Sequence, residues 1–279
     1  MTGYRSILVH LDASPHSADR LDFARRLARR HEAVALTAVI ALEPVERPEP
    51  LPVDIAPPIP PKVLEVDSEH RRRAVTLFND AQAAGDPPMT LTEVMGVDPQ
   101  RGLAQAALCA DLTVLGQRDP NDPFSEDVPV DLVESVVVAS GKPTLVVPFA
   151  DRFWHIARIV TVAWRPTREC ARAVEGAIPL MQRADLVRVV SWGKEAFQPV
   201  DGTLSVVPYL RIHGIEATAH RFPDEPVDLS EVLLAHAAEH ESDLLVMGCY
   251  GHHRLRELLF GGVTRTVLRN MNLPVLMSH

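Results

Sequence analysis

The chain has 279 residues, of which 46% are hydrophobic and 23% charged, as is typical of a soluble protein with a packed core. Its formal net charge of −9 argues against nonspecific nucleic-acid binding. The sequence contains no apolar run of about 18 residues, so we expect no membrane span. The three cysteines, Cys109, Cys170 and Cys249, are too few and too scattered for a disulfide framework or a zinc knuckle. Together with a start that lacks a secretory signal, this predicts a cytoplasmic protein.

Ten short apolar segments, rich in β-branched residues, recur along the chain and predict ten strands. Most are apolar at consecutive positions, which favours strands buried on both faces of a parallel sheet. Amphipathic patterns between them predict helices, and the alternation of strand and helix indicates βαβ units. The predicted strands are 6–11, 33–40, 90–95, 111–116, 143–148, 158–164, 186–192, 215–221, 243–248 and 274–279, and the clearest helices are 17–32, 168–184, 228–240 and 263–271.

Two segments of the first half carry further local signals. In the first predicted helix, Leu21, Ala24, Leu27 and Ala28 form an apolar stripe, and we expect the arginines of this helix on the opposite, solvated face. The segment 43–62 is rich in proline, which is incompatible with a helix or an inner strand. It is therefore predicted to run as an extended surface loop.

The second five predicted strands repeat the first five. ADLTVLG at 110–116 returns as SDLLVMG at 242–248, and KPTLVVP at 142–148 returns as LPVLMSH at 273–279. A repeat of this length indicates a duplicated domain. We therefore predict an α/β fold of two tandem five-stranded α/β/α sandwiches, 1–151 and 152–279, related by a pseudo-twofold axis. The two fifth strands should meet at the interface, because each would otherwise be an exposed apolar edge.

Four glycines near the end of the chain suggest a phosphate cradle. They follow the fourth strand of the second half, where loops at the carboxyl ends of parallel strands bind ligands. Glycines let the backbone approach a phosphate, and the helix that begins at Val263 and Thr264 offers free N–H groups. Glycines also end strands and cap helices, so this second interpretation stays open. The glycines are Gly248, Gly251, Gly261 and Gly262.

This spacing, with SILVHLDAS at the start of the chain and DLLVMG before the glycines, resembles the universal stress protein family over essentially the whole chain. The resemblance implies a Rossmann-like, adenine-nucleotide alpha hydrolase-like fold in each half and a role in the stress response. Some members of that family bind ATP between the loop after the first strand and the glycine motif, whereas others bind no nucleotide. The tandem form resembles two monomers of a homodimer fused in one chain.

The two halves depart from the family pattern in opposite ways. The first half keeps the aspartate after its first strand, as Asp12, but acidic residues replace the glycine motif after Gly116: Asp119, Asp122, Glu126, Asp127 and Asp131. The second half keeps the glycines but has Arg165 at the aspartate position, and Gly262 where a hydroxyl residue is usual. Residues 1–151 hold 14 basic and 23 acidic side chains, a charge of −9, whereas residues 152–279 hold 14 of each.

These departures predict one adenine nucleotide per chain, ATP with magnesium only as its companion, in the second half. Arg165 either clasps phosphate or pairs with a surface carboxylate. The first-half residues Asp12 and Gly116 are predicted to form a degenerate site. The predicted nucleotide-binding residues are Gly248, Gly251, Gly261, Gly262, Val263, Thr264 and Arg165.

Catalytic and metal sites are not predicted. No Ser/His/Asp or Cys/His set and no Walker lysine accompanies the glycines, so a weak ATPase is the least favoured function. His236 and His240, with Glu239 between them, could share a metal, but with no third ligand placed they are interpreted as the solvated end of a helix. The alternative to nucleotide sensing is a structural or regulatory protein that acts through unknown protein partners. Whether the tandem chain pairs further into a homodimer is left open.

Overall fold

The computed structural model describes residues 3–42, 61–94, 98–124, 128–149, 155–193, 205–249 and 262–279, with residues 61–67 described by their backbone alone. All ten predicted strands are confirmed within one or two residues at most ends. They are β1 (Ser6–Leu11), β2 (Ala35–Ile40), β3 (Thr90–Glu93), β4 (Leu112–Gly116), β5 (Thr144–Val147), β6 (Ile159–Ala163), β7 (Leu186–Trp192), β8 (Ala217–Phe222), β9 (Leu244–Gly248) and β10 (Val275–Ser278).

Helices alternate with the strands as predicted. The described helices are α1 (Ser17–His31), α2 (Pro61–Ala83), α3 (Pro99–Ala107), α4 (Leu132–Ser140), α5 (Arg168–Met181), α6 (Val206–Ile212), α7 (Leu229–Glu239) and α8 (Val263–Asn270). The prediction that 43–62 contains no helix is wrong at its last two residues, since α2 begins at Pro61, and proline is well suited to the first turn of a helix. Residues 43–60 lie outside the described part of the chain.

One continuous ten-stranded sheet forms, in the order β3-β2-β1-β4-β5-β10-β9-β6-β7-β8. The predicted tandem of two five-stranded α/β/α units is confirmed, and the two units share one sheet. Strands within each half are parallel, whereas β5 and β10 pair antiparallel, with Leu145 opposite Leu276. The prediction that the two fifth strands meet is therefore confirmed, and antiparallel pairing of equivalent strands is what a pseudo-twofold axis requires. The proposed boundary between 151 and 152 lies outside the described residues.

Both faces of the sheet carry a core that runs through both halves. One face is covered by α1, α2, α5 and α6, whose buried side chains form a single apolar cluster with those of the strands. The other face is covered in the same way by α3, α4, α7 and α8. The result is one three-layered α/β/α body in which neither half has a core of its own.

Polar contacts join the halves at the margins of this shared core. The Tyr4 hydroxyl donates to the Gly176 carbonyl at 2.6 Å. The Gln117 side-chain amide donates to the carbonyls of Leu268 and Arg269, at 3.0 and 3.1 Å, and so ties the end of β4 to the last turn of α8. The two Gln117 bonds satisfy carbonyls of the last turn of α8, which have no partner within the helix.

The apolar stripe of α1 is confirmed, since all four predicted residues are buried, but the expectation of solvated arginines is wrong for two of them. Arg20 is 4% exposed and Arg25 7% exposed. Arg25 donates to the Gly85 carbonyl at 2.7 Å, and Arg20 is held in the site described below. Within the described residues, no helix combines the length and apolar character that crossing a membrane demands.

The shared core predicts that both halves unfold together. All three tryptophans, Trp154, Trp164 and Trp192, lie in the second half, so their fluorescence reports on that half, whereas far-UV circular dichroism reports on the whole chain. We expect Leu145→Ala, on β5 of the first half, to cost about 2–5 kcal/mol. It should lower the urea midpoint equally by both probes. The exposed Val130→Ala should change stability by less than about 0.5 kcal/mol. A fluorescence midpoint unmoved by Leu145→Ala would contradict a common core.

Candidate functional site

The strand registers show which residues of the two halves are equivalent. Ile7 of β1 lies beside Leu112 of β4, and Val160 of β6 lies beside Leu244 of β9. Counting along each strand from these pairs, position 12 corresponds to 165, and position 116 to 248. The two equivalent sites thus lie at the carboxyl ends of β1 and β4 and of β6 and β9, where the parallel sheet favours ligand binding.

The first-half site is filled by the Arg20 guanidinium. Its Nη2 donates to Asp12 Oδ2 at 2.8 Å, and its Nε donates to the His10 carbonyl at 2.8 Å. The Ser17 hydroxyl donates to the other Asp12 carboxylate oxygen at 2.5 Å. A Cβ atom at Gly116 would lie only 2.0 Å from Arg20 Nη1, so the guanidinium rests directly on the glycine backbone. The aspartate and glycine predicted as a degenerate site therefore do meet, with a protein cation between them.

Burial sets the charge states in this network. It raises the pKa of Asp12, but Arg20, His10 and the Ser17 hydrogen bond more than offset that effect, so the net pKa of Asp12 is lowered. Burial also lowers the pKa of His10, which outweighs the attraction of Asp12. His10 Nε2 lies 2.9 Å from the Ala41 carbonyl, which requires Nε2 to donate. The first-half site therefore holds a neutral imidazole beside a closed ion pair.

The predicted acidic residues close the remaining space. Asp119 accepts from His16 Nε2 at 3.2 Å, Asp122 is buried, and Asp131 is the N-cap residue of α4. Glu126 and Asp127 lie outside the described residues. The cavity left beside Asp12 and Gly116 measures about 40 Å³. Ligand pockets usually need about 300 Å³ or more, so the filled site gives a physical reason for the prediction that this half binds no nucleotide.

A larger groove, which sequence reasoning missed, opens on the outer side of the same loop. It measures about 590 Å³ and lies between α1 and α2, with Arg25, Arg72 and Arg73 facing Asp22 and Asp80 along its walls. Its lining mixes both signs of charge. Asp12 and Ser14 line both this groove and the small strand-end cavity, whereas Gly116 lines the cavity alone, so the groove adjoins the strand-end site.

The second-half site lacks the guanidinium. Ala173 stands eight residues after Arg165, as Arg20 stands eight residues after Asp12. Gly248 brings the end of β9 against the start of α5, since a Cβ there would lie 2.5 Å from the Cys170 nitrogen. The glycine is therefore required for this close approach. Thr167 is the N-cap of α5, and its hydroxyl accepts from the Cys170 N–H.

Helix α8 begins without a side-chain cap. Its N-cap is Gly262, which provides no acceptor, so the N–H groups of the first turn have none from the N-cap side chain. The Thr264 side chain is buried in that turn, and Val263 is half-buried. The corresponding N-cap of the first half is Asp131, a carboxylate. Two predicted residues of the motif, Gly251 and Gly261, lie outside the described residues.

Arg165 forms an ion pair with Glu225, and both side chains are about half exposed. This is the second of the two roles predicted for it, a surface pair. Its contact with a ligand stays a prediction. Cys249, next to Gly248, is buried and donates from Sγ to the Ser278 carbonyl at 3.4 Å.

The histidines of α7 are less solvated than the sequence indicated. One ligand atom from each of His236, Glu239 and His240 lies within 4.8 Å of the others. His236 is half-buried, so the interpretation of a fully solvated helix end is wrong for that residue. A third histidine, His220 on β8, lies beside them, with its ring centroid 6.3 Å from each of theirs. Sequence reasoning missed His220 because strand order alone brings it there.

Comparison with known proteins gives a consistent result. The model of the universal stress protein family matches residues 3–148 and 209–279. A universal stress protein of Synechocystis sp. is 27% identical over 173 residues, 60% of this chain and 57% of that protein, so the match spans little more than half of the relative. The crystal structure of a universal stress protein from Archaeoglobus fulgidus aligns over 98% of both chains, with a TM-score of 0.70 and 16% identity. A putative universal stress protein from Pseudomonas aeruginosa aligns over 99% of this chain and 93% of its own, with a TM-score of 0.58 and 14% identity.

The Asp12–Arg20 pair predicts a specific pattern of stabilities. Asp12→Ala leaves a buried cation unpaired and should lower the free energy of unfolding by about 3–5 kcal/mol. The double variant Asp12→Leu with Arg20→Met removes both charges and should recover most of that loss. Urea denaturation gives the free energy of unfolding of the unmodified chain, of Asp12→Ala and of the double variant. A single variant that loses less than about 1 kcal/mol would contradict the buried pair.

His10 predicts a pH dependence of stability. Its pKa is lowered in the folded state, so below about pH 6.5 the unfolded chain binds a proton that the folded chain does not. The free energy of unfolding should therefore decrease as the pH falls from 7.5 to 5.5. His10→Gln keeps a donor for the Ala41 carbonyl and should flatten this slope, whereas the exposed His155→Gln should not. Equal slopes in the two variants, measured by urea denaturation, would refute the assignment.

Proposed function

Because the chain belongs to the universal stress protein family, as a tandem pair of its domains, we propose that it is a stress-response sensor that binds one adenine nucleotide, ATP, in its second half. The observation that carries the proposal is the contrast between equivalent strand ends. Arg20 fills the first site, whereas Ala173 takes its place in the second. The two halves thus differ in whether an arginine of the following helix fills the strand end.

Phosphate binding is supported by the start of α8. An α-helix N-terminus with uncapped N–H groups attracts anions through its dipole and its free donors. Gly262 offers those groups no side-chain acceptor, and Thr264 adds a hydroxyl to the same turn. In the first half Asp131 puts a carboxylate at the corresponding position, which would repel a phosphate. The formal net charges also favour an anion in the second half, since residues 152–279 carry a net charge of zero and residues 1–151 a net charge of −9.

Magnesium would come with the nucleotide. The family aspartate that would face a metal is Arg165 here, and it pairs with Glu225. A guanidinium repels a free divalent cation, so the proposal assigns Mg²⁺ to the ATP phosphates alone. Because no Ser/His/Asp or Cys/His set accompanies the glycines in the sequence, we propose a binding protein of the cytoplasm rather than an enzyme.

One observation favours the alternative, a regulatory protein that works through protein partners without a ligand. Arg165 is already engaged in an ion pair with Glu225. A nucleotide that needs the aspartate of ATP-binding relatives would lose one partner there. The two functions are separated by whether any nucleotide binds.

The test exchanges the two N-cap residues. Gly262→Asp places in the second half the carboxylate that the first half already has, and Asp131→Gly removes it from the first. Aspartate is a favourable N-cap and the backbone at Gly262 has φ −49°, so the helix should tolerate it. We expect calorimetry with ATP and Mg²⁺ to give one site per chain. Gly262→Asp should weaken it at least about tenfold, or about 1.4 kcal/mol, and Asp131→Gly should leave it unchanged.

Three results would argue otherwise. Two sites per chain would mean that the first half also binds nucleotide, and binding lost in Asp131→Gly would mean that the first half holds the site. Equal affinity in all three proteins would place the nucleotide away from α8. Absence of binding for both ATP and AMP would favour the ligand-free alternative.

A further inference from the structure

We propose that His236, Glu239 and His240 at the end of α7, with His220 on the neighbouring strand β8, form a binding site for a divalent transition-metal ion, Zn²⁺ being the best match. The first three residues each offer one ligand atom, and these atoms all lie within 4.8 Å of one another. Imidazole nitrogen and carboxylate oxygen are ligands that zinc accepts in proteins. The site lies beside β8, the outermost strand of the second half, and β6 and β7 separate β8 from β9, which ends at Gly248.

The helix sets the spacing of the two main ligands. His236 and His240 are four residues apart, so they occupy one face of α7. Their ring centroids are 4.3 Å apart, with the planes at 70°. Nitrogens bound to one tetrahedral zinc at about 2.0–2.1 Å are roughly 3.3 Å apart. Side-chain rotations that bring these ligand atoms closer by about 1.5 Å or less would therefore allow all three to bind one ion.

His220 can supply the fourth ligand. It projects from β8, and its ring centroid lies 6.3 Å from those of both α7 histidines. Its Nε2 lies 3.3 Å from the Thr218 hydroxyl, a bond that can fix the ring while the other nitrogen turns to the ion. An ion held by all four residues would tie the edge strand to the helix that covers it.

His236 has a polar atom that lacks a partner. Its Nε2 is inaccessible to solvent and, within the described residues, has no hydrogen bond. The ring is wedged against Trp192 and Phe222, at centroid distances of 6.3 and 5.9 Å. A buried imidazole nitrogen without a partner is destabilising. An ion between His236 and His240 would convert this cost into a bond.

The electrostatic setting suits a cation that needs neutral imidazoles. Burial lowers the pKa of His236, and the nearby His240 and His220 lower it further, with Arg188 of β7 acting in the same direction and Glu239 against them. The carbonyl end of α7 and the Glu239 carboxylate both favour positive charge there, and together they oppose the repulsion from Arg188.

The test uses the full chain, freed of any histidine tag and stripped with chelator, and ZnCl₂ alone as the titrant. We expect one site per chain by calorimetry and a rise in the midpoint of thermal unfolding. His240→Gln and Glu239→Gln, both at the accessible end of the helix, should each weaken binding at least about tenfold, the loss seen even when only an outer partner of a metal site is removed. The exposed His155→Gln is the matched control and should bind as the unmodified chain does.

Cobalt gives an independent readout. Co²⁺ bound by imidazole and carboxylate in a tetrahedral site absorbs in the visible range and shows no thiolate charge-transfer band. The visible absorption should vanish in His240→Gln. Unchanged zinc affinity in both variants, or a thiolate band indicating a cysteine site, would overturn the proposal. The titrations contain no nucleotide, so their outcome is independent of ATP binding, and Gly262→Asp should bind zinc normally.

Discussion

The antiparallel pairing of β5 with β10 is the interaction on which the other features depend. Leu145 and Leu276 face each other across this pair, and both are fully buried. Each strand is the last of its half and would be an exposed apolar edge alone, a known route to aggregation. Their pairing instead makes one sheet of ten strands, and the helices on each face bury a core common to both halves. A site in either half is therefore built on a scaffold that both halves stabilise.

Within this frame, the two strand-end sites have diverged through very few residues. Arg20 and Asp12 close the first site with an ion pair that no external ligand is needed to complete. In the second, Ala173 stands in the place of Arg20, and Arg165, in the place of Asp12, pairs with Glu225. The buried pair is expected to contribute little net stability compared with apolar residues of the same size, but the loss of one member is costly. Once both charges are present, selection against losing either one keeps the first site closed.

Most strands were predictable from the sequence because a buried parallel strand leaves a direct signal, consecutive apolar positions, which the two edge strands β3 and β8 lack. The union of the two sheets was only partly predictable: the apolar fifth strands indicated an interface, but not its register. Arg20 could have been found. It stands four residues before Ala24 and seven before Leu27, so it lies on the apolar stripe and not opposite to it.

His220 could not have been placed in this way. It meets His236 and His240 only because β8 is the outermost strand and α7 packs beside it, and both facts depend on strand order. Similarly, the pairing of Arg165 with Glu225 joins residues 60 positions apart through loops that carry no periodic signal. Sequence patterns predicted which residues could do chemistry, whereas the tertiary structure decided which of them are already engaged with one another.

The joined sheet also changes what a single substitution can do. In a homodimer of identical chains every substitution occurs twice, once on each side of the twofold axis, so neither site can change without the other. Here the equivalent strands belong to one polypeptide, and their association is intramolecular, with an effective concentration that dilution cannot lower. Arg20 can therefore exist opposite Ala173, and Asp131 opposite Gly262, while the pairing of β5 with β10 remains intact. Covalent linkage of the halves thus allows the backbone to keep its pseudo-twofold symmetry while the side chains of the two sites differ.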